Sequence, residues 1–263
     1  PTTNKKSIAV IGAGPAGLAF SEIAASRGHH VELFEASDQI GGQFNLAKQI
    51  PGKEEFHETI RYFSTMLKKN GVKVHLNKKV QPIDLMNKKY DEIIVSTGVY
   101  PRSLDIPGSD EEIVISYIDA IRNIDKIGKK VVLIGAGGRG FDMAELLSHG
   151  KKSPSTNIDD FAEQWGIDFT NHPRGGVTGV TATASKSERE IYLLQRKVTP
   201  LGIALGKTTG WTHRLRLRKK EIKMLKGVTY KKIAKNGIYI SINDQDQFIE
   251  CDNIIVCAGQ EPD

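Results

Sequence analysis

The feature that most limits what this chain can fold into is a repeat. IAVIGAGPAGLAF begins at Ile8 and VVLIGAGGRGFDM begins at Val131. Each is an apolar run, a glycine-rich turn and the start of a helix. A second pair lies downstream, DEIIVSTGVYPR from Asp91 and DNIIVCAGQEPD from Asp252. Both read as an acid, a buried strand, a small residue before glycine, and an extended stretch leading to proline. The same two landmarks occur twice, with different spacing between them, which marks a duplicated unit.

Periodicity and end signals fill in the rest. The first copy predicts strands over 7–11, 30–35 and 72–76, a buried strand over 92–96, and helices over 15–27 and 54–70. Gly28 falls where a glycine ends a helix. The second copy predicts strands over 130–134, 191–195, 228–231, 237–243 and 253–257, and a helix over 140–147. Between Ser148 and Glu190 runs a segment rich in Ser, Thr, Gly and Pro, read as an insertion with one helix, Ile158–Trp165, capped by Asn157. Strands alternating with helices imply an α/β fold of two doubly wound, Rossmann-like dinucleotide-binding domains, each built on a parallel sheet.

Composition sets the outer bounds. The 263 residues suffice for one large domain or two ordinary ones. With 39% hydrophobic and 26% charged residues, the chain has the make-up of a folded globular protein. No stretch approaches the ~20 apolar residues that span a bilayer. The N-terminal segment carries no signal-peptide pattern, so a cytoplasmic location is expected and no membrane partner. The first residue is not Met, and the chain is read as a piece of a longer polypeptide. Its two cysteines, Cys251 and Cys257, lie in or beside one predicted buried strand and are read as free thiols, not a disulfide or metal pair. The seven histidines show no metal-ligand spacing, so no metal site is expected. The net charge is +6, and a basic run extends from Arg214 to Lys232. That run lacks the interleaved aromatics of single-strand binders. Nucleotide phosphates explain the basic balance as well as nucleic acid does, and nucleic acid is not the partner expected.

The glycine turns carry the chemistry. GAGPAG, Gly12 to Gly17, follows a strand and opens a helix, and Glu35 ends the next strand. Gly12 permits the tight turn, Gly14 lets a diphosphate approach the backbone, and Gly17 lets helix and strand pack closely. Pro15 and Ala16 complete the loop at the helix start, whose unpaired amides and dipole favour an anion. Glu35 suits ribose hydroxyls. GAGGRG repeats the pattern with Gly135, Gly137, Gly138 and Gly140, but the next strand runs into Arg196 and Lys197 with no acid. A 2′-phosphate would be repelled by a carboxylate and held by these cations, so the second copy is expected to prefer NADPH to NADH. Thr97–Gly98 and Ala258–Gly259 end the closing strands, where such sheets bind ligands. GKTTGW, from Gly206, fails the phosphate-loop spacing, and ATP hydrolysis is set aside.

These stretches, with IGGQFNLAKQIPGKEEF, LLQRK and CAGQEP, are spread along the whole chain and resemble the FAD- and NADPH-binding portion of the bacterial 2,4-dienoyl-CoA reductase family. The resemblance implies a multidomain enzyme with an FMN-containing barrel and a 4Fe–4S cluster, parts of the same polypeptide that this chain lacks. It implies an FAD domain over residues 1–112, its return segment absent. An NADPH domain inserted in it would cover 113–263, with the insertion at about 148–190. Gly42 and Gln43 become FAD contacts by the same resemblance. They lie where related disulfide reductases carry a cysteine pair, so electrons are expected to pass to the iron–sulfur centre. The implied function is an electron-input module, hydride passing from NADPH to FAD in support of 2,4-dienoyl-CoA reduction. No catalytic side chain is expected here. The alternative is a non-catalytic domain that binds an adenine nucleotide without turnover.

Overall fold

A computed structural model describes residues 2–149, 153–171, 177–183 and 186–263. The chain divides into two compact units. The first holds residues up to Gln49, then Lys53–Tyr100 and Pro262–Asp263; the second holds Ile50–Gly52 and Pro101–Glu261.

In the first unit the elements run β1 (Ser7–Ile11), α1 (Pro15–Ser26), β2 (His30–Phe34), α2 (Phe44–Ala47), α3 (Phe56–Lys69), β3 (Lys73–His75), α4 (Pro82–Met86) and β4 (Glu92–Val95). The strands form one parallel sheet in the order β3-β2-β1-β4. Alternate residues of β1 and β2 (Ile8, Val10, Val31 and Leu33) turn to one face and pack with Leu18 of α1 and Leu67 of α3. This is the period-two burial that a strand requires. The last strand departs from the expectation of burial: Ile93 and Val95 are 47% and 71% exposed. β4 is the sheet's edge, and only Ile94 faces the core.

Short strands β5 (Val99–Pro101) and β14 (Gln260–Pro262) carry the chain out of and back to this unit. Between them run β6 (Val114–Ser116), α5 (Tyr117–Arg122), β7 (Lys130–Ile134), α6 (Gly138–Ser148), α7 (Ile158–Trp165), β8 (Glu190–Leu194), α8 (Gly210–Lys219), β9 (Lys223–Leu225), β10 (Val228–Ala234), β11 (Gly237–Ile242), β12 (Gln245–Glu250) and β13 (Asn253–Val256). Five strands form a parallel sheet, ordered β6-β13-β7-β8-β9. Leu104, Ile106 and Ile113 pack on its core. By packing, the boundary therefore falls between Tyr100 and Pro101 rather than at residue 112.

The segments 228–231 and 237–243, expected in the parallel sheet, lie elsewhere. With β12 they make an antiparallel three-stranded sheet, β10-β11-β12. The cause is local. β11 and β12 are joined by Asn243 and Asp244 alone, at φ 50° and 61°, a two-residue turn that only antiparallel strands accept. Their places in the parallel sheet are taken by β6 and β9.

The α7 helix matches its expected span, and the Asn157 side chain accepts hydrogen bonds from the Asp159 and Asp160 amides. Its Trp165 ring is faced by Arg216 and Lys219 of α8, each 5.4 Å from the centroid. Residues 150–152, 172–176, 184 and 185 of the segment between α6 and β8 fall outside the described residues.

The repeated acids have a structural task. Asp91 accepts a hydrogen bond from the Ser7 amide at 2.7 Å, and Asp252 accepts from the Lys129 and Lys130 amides at 2.8 Å each. Each carboxylate fixes the start of the strand that leads into the glycine turn, β1 or β7, against the closing strand. Asp252→Ala is expected to destabilise the second unit by about 1–2 kcal/mol, seen as a lower urea midpoint, with Asp252→Asn losing less.

Candidate functional site

Both glycine turns have the same build. Gly12 and Gly135 follow β1 and β7 at φ +101° and +110°, a region that side-chain-bearing residues avoid. Their amides donate to the Phe34 and Leu194 carbonyls, which ties each turn to the next strand. A Cβ on Gly17 would overlap the Gly12 carbonyl, and one on Gly140 would overlap the Gly135 carbonyl. A Cβ on Gly14, Gly137 or Gly138 would meet nothing within 4 Å. Three glycine roles are thus separated by geometry: turning, packing, and leaving space.

The space lies at helix starts. α1 begins after Gly14 with Pro15 in its first turn, and α6 begins after Gly137. Neither helix has a side-chain cap or an acid in its first turn. Amides such as those of Ala16 and Gly17 therefore have no carbonyl partner within the helix, and the positive dipole end is uncompensated. Both turns fit a diphosphate on this ground.

The surroundings differ between the units. In the first, the Glu35 carboxylate turns inward. It accepts from the Ala13 amide at 2.8 Å and from the Ser37 amide and hydroxyl at 2.9 and 2.8 Å. The Gly41 amide donates to the Ala13 carbonyl, and a Cβ on Gly42 would lie 2.8 Å from the Gly14 Cα. The loop over 40–43 thus lies directly across the glycine turn. Gln43 stands at the start of α2 without capping it. Thr97 also belongs to this cluster, its Cα 3.2 Å from the Gly12 Cβ position, and Gly98 opens onto free space.

In the second unit the position of Glu35 is occupied by Gln195. Each follows a strand whose last residue pairs with the end of the first strand, Phe34 with Ile11 and Leu194 with Ile134. The Gln195 amide side chain donates to the Lys197 and Thr199 carbonyls and shapes the turn that displays Arg196 and Lys197. Both are exposed, and among the described residues neither forms an ion pair. Beside them, burial pushes the Tyr230 hydroxyl up to about 12, against the pull of the Arg196 charge. Ala258 packs on Gly135, whereas a Cβ on Gly259 would lie 3.4 Å from the Arg102 guanidinium rather than against the glycine turn. Gln195 was not singled out from sequence; its signal is its register with Glu35.

The basic run is spent mainly inside the unit. Arg214 donates to the Gly202 carbonyl at 2.9 Å, Arg216 approaches Glu145 at 3.5 Å, and the buried Lys220 donates to the Ser148 carbonyl at 3.0 Å. Burial raises Glu145 and lowers Lys220. No group of acids, histidines and cysteines among the described residues has the arrangement of a metal site, and no described helix is long and apolar enough to cross a membrane.

Fold and turns together define a class: paired dinucleotide-binding units of the Rossmann kind on one chain. The sequence profile of the pyridine nucleotide-disulphide oxidoreductases matches residues 6–263, and the chain belongs to that family, whose members bind FAD and a pyridine nucleotide. It is similar to a metal reductase of Desulforamulus reducens, 27% identical over 98% of this chain and 38% of that protein. A cinnamate reductase of Clostridium sporogenes is 31% identical over 54% of this chain and 21% of its own length. Among solved structures it resembles 2-naphthoyl-CoA reductase in complex with 2-naphthoyl-CoA, with a TM-score of 0.80 and 28% identity over 99% of this chain and 34% of that one. The chain thus spans well under half the length of these relatives.

The separation of glycine roles gives a direct check. Gly140→Ala should destabilise the second unit by more than ~2 kcal/mol through overlap with backbone. Gly137→Ala should leave the melting temperature nearly unchanged and weaken dinucleotide binding, measured by calorimetric titration.

Proposed function

We propose that this chain is the electron-input module of a larger flavoprotein reductase, with FAD held by the first unit and NADPH by the second. The observation that carries the proposal is the pair of uncapped glycine turns followed by opposite chemistry, Glu35 after β2 and Gln195-Arg196-Lys197 after β8. Gly12, Gly14, Pro15, Ala16, Gly17, Gly42, Gln43, Thr97 and Gly98 would line the flavin nucleotide. Glu35 braces the turn through Ala13 and offers its remaining lone pairs to a ribose. Gly135, Gly137, Gly138, Gly140 and Ala258 would line the second coenzyme. Arg196 and Lys197 would meet its 2′-phosphate, and the absence of a carboxylate at Gln195 removes the repulsion that disfavours it. Gly259 is retained only as a backbone element of that crevice.

When bound, the two coenzymes supply the hydride chemistry, and the protein's part is binding and orientation. No side chain of this chain is assigned a catalytic step. The substrate of the whole enzyme is proposed to be an unsaturated acyl thioester of the 2,4-dienoyl-CoA type. The relative named for 2-naphthoyl-CoA supports the thioester, and the one named for cinnamate supports the conjugated double bond. The partners proposed are a substrate-reducing FMN barrel and an iron–sulfur centre of the same polypeptide.

The purified protein should be yellow, absorbing near ~450 nm, and should bleach on adding NADPH without oxygen. A colourless protein that binds an adenine nucleotide and oxidises no NADPH would instead support a non-catalytic role. Arg196→Ala should raise the KM for NADPH about tenfold or more and leave that for NADH nearly unchanged, as loss of a charge-assisted bond requires. An unaltered preference would remove Arg196 from the 2′-phosphate site.

A further inference from the structure

The two turns differ at one position that the roles above leave unused. Where GAGPAG has Ala16, GAGGRG has Arg139, in the first turn of α6. Side chains of a helix lean toward its N-terminus, so Arg139 leans toward the space that Gly137 and Gly138 leave open. Its guanidinium lies 5.5 Å from the centroid of the Tyr117 ring, which is buried at 4% exposure where α5 begins after β6. The Tyr117 hydroxyl accepts a hydrogen bond of 2.7 Å from Gln260, just beyond the carboxyl end of β13. The ring is thus fixed from two sides, and a fixed ring holds the cation over its face. Among the described residues, Arg139 forms no ion pair.

We propose that Arg139 is a binding residue for the diphosphate bridge of the pyridine nucleotide, held ready by Tyr117 and Gln260. This rests on reading the second unit as the pyridine-nucleotide site. It adds a cation to the amides of the helix start, in the one unit whose ligand must leave after each turnover. It also divides the labour: Arg139 serves NADPH and NADH alike, whereas Arg196 and Lys197 tell them apart.

The test is calorimetric titration of the intact protein with NADPH, NADH, ADP-ribose and 2′-AMP. Arg139→Ala should weaken the first three by the same factor, about tenfold or more, and leave 2′-AMP, which lacks a diphosphate, within about twofold. Arg139→Lys should recover part of the loss. Arg139→Met, which keeps the stem over the Tyr117 ring without charge, should behave as the alanine variant while melting at the wild-type temperature. Unchanged binding of the three diphosphate ligands would overturn the proposal, and so would a loss confined to NADPH and 2′-AMP. If the unaltered protein binds none of the four, the reading of the second unit fails, and this inference with it.

Discussion

The structure depends on two contacts between backbones. At Gly17 over Gly12, and at Gly140 over Gly135, a helix comes so close to the preceding turn that no side-chain carbon fits between. That approach sets where each helix begins. It aims the unpaired amides of the first turn at the space beyond the strand ends, and it leaves Gly14 and Gly137 facing that space. Two backbone hydrogen bonds, from Gly12 to Phe34 and from Gly135 to Leu194, then fix where the next strand stops. The residue that follows β2 or β8 is therefore placed by strand register, and Glu35 and Gln195 occupy equivalent places.

Much of this was legible because the motif is local. A strand, three glycines and a helix start use contacts within a few residues, and the sequence places β1, α1, β7 and α7 almost to the residue. What was not legible depends on distant packing. β12 reads QDQFIE, with only Ile249 buried, and offers no apolar pattern until β11 lies beside it. In α8 arginine and leucine alternate, as a strand would, and only Gly210 and Leu217 are buried. Its helix is fixed by tertiary partners, Glu145 and Gly202 among them. The exposure of β4 reflects its place at a sheet edge, which its own apolar residues do not announce.

The family is named for disulphide chemistry, but this chain has only two cysteines. Its two cysteines are both free and buried. Burial, aided by nearby carboxylates at Cys251, pushes both up to about 12, so neither supplies a thiolate near neutrality. Beside the first glycine turn, the loop over 40–48 has no cysteine, and Gly42 presses its backbone against Gly14 instead.

The excursion of the chain from Tyr100 to Pro262 bears on how the protein is made. The Asp263 amide donates to the Gly98 carbonyl, and the Thr97 hydroxyl donates to the Asp263 carbonyl, so the first unit makes contacts that must await synthesis of the whole second unit. The entropy of bridging so long a loop grows only logarithmically with its length. The delay is kinetic, since contacts of high sequence separation form late. Apart from Ile50–Gly52, the second unit is contiguous and can condense during synthesis. The first unit must wait with these contacts unmade.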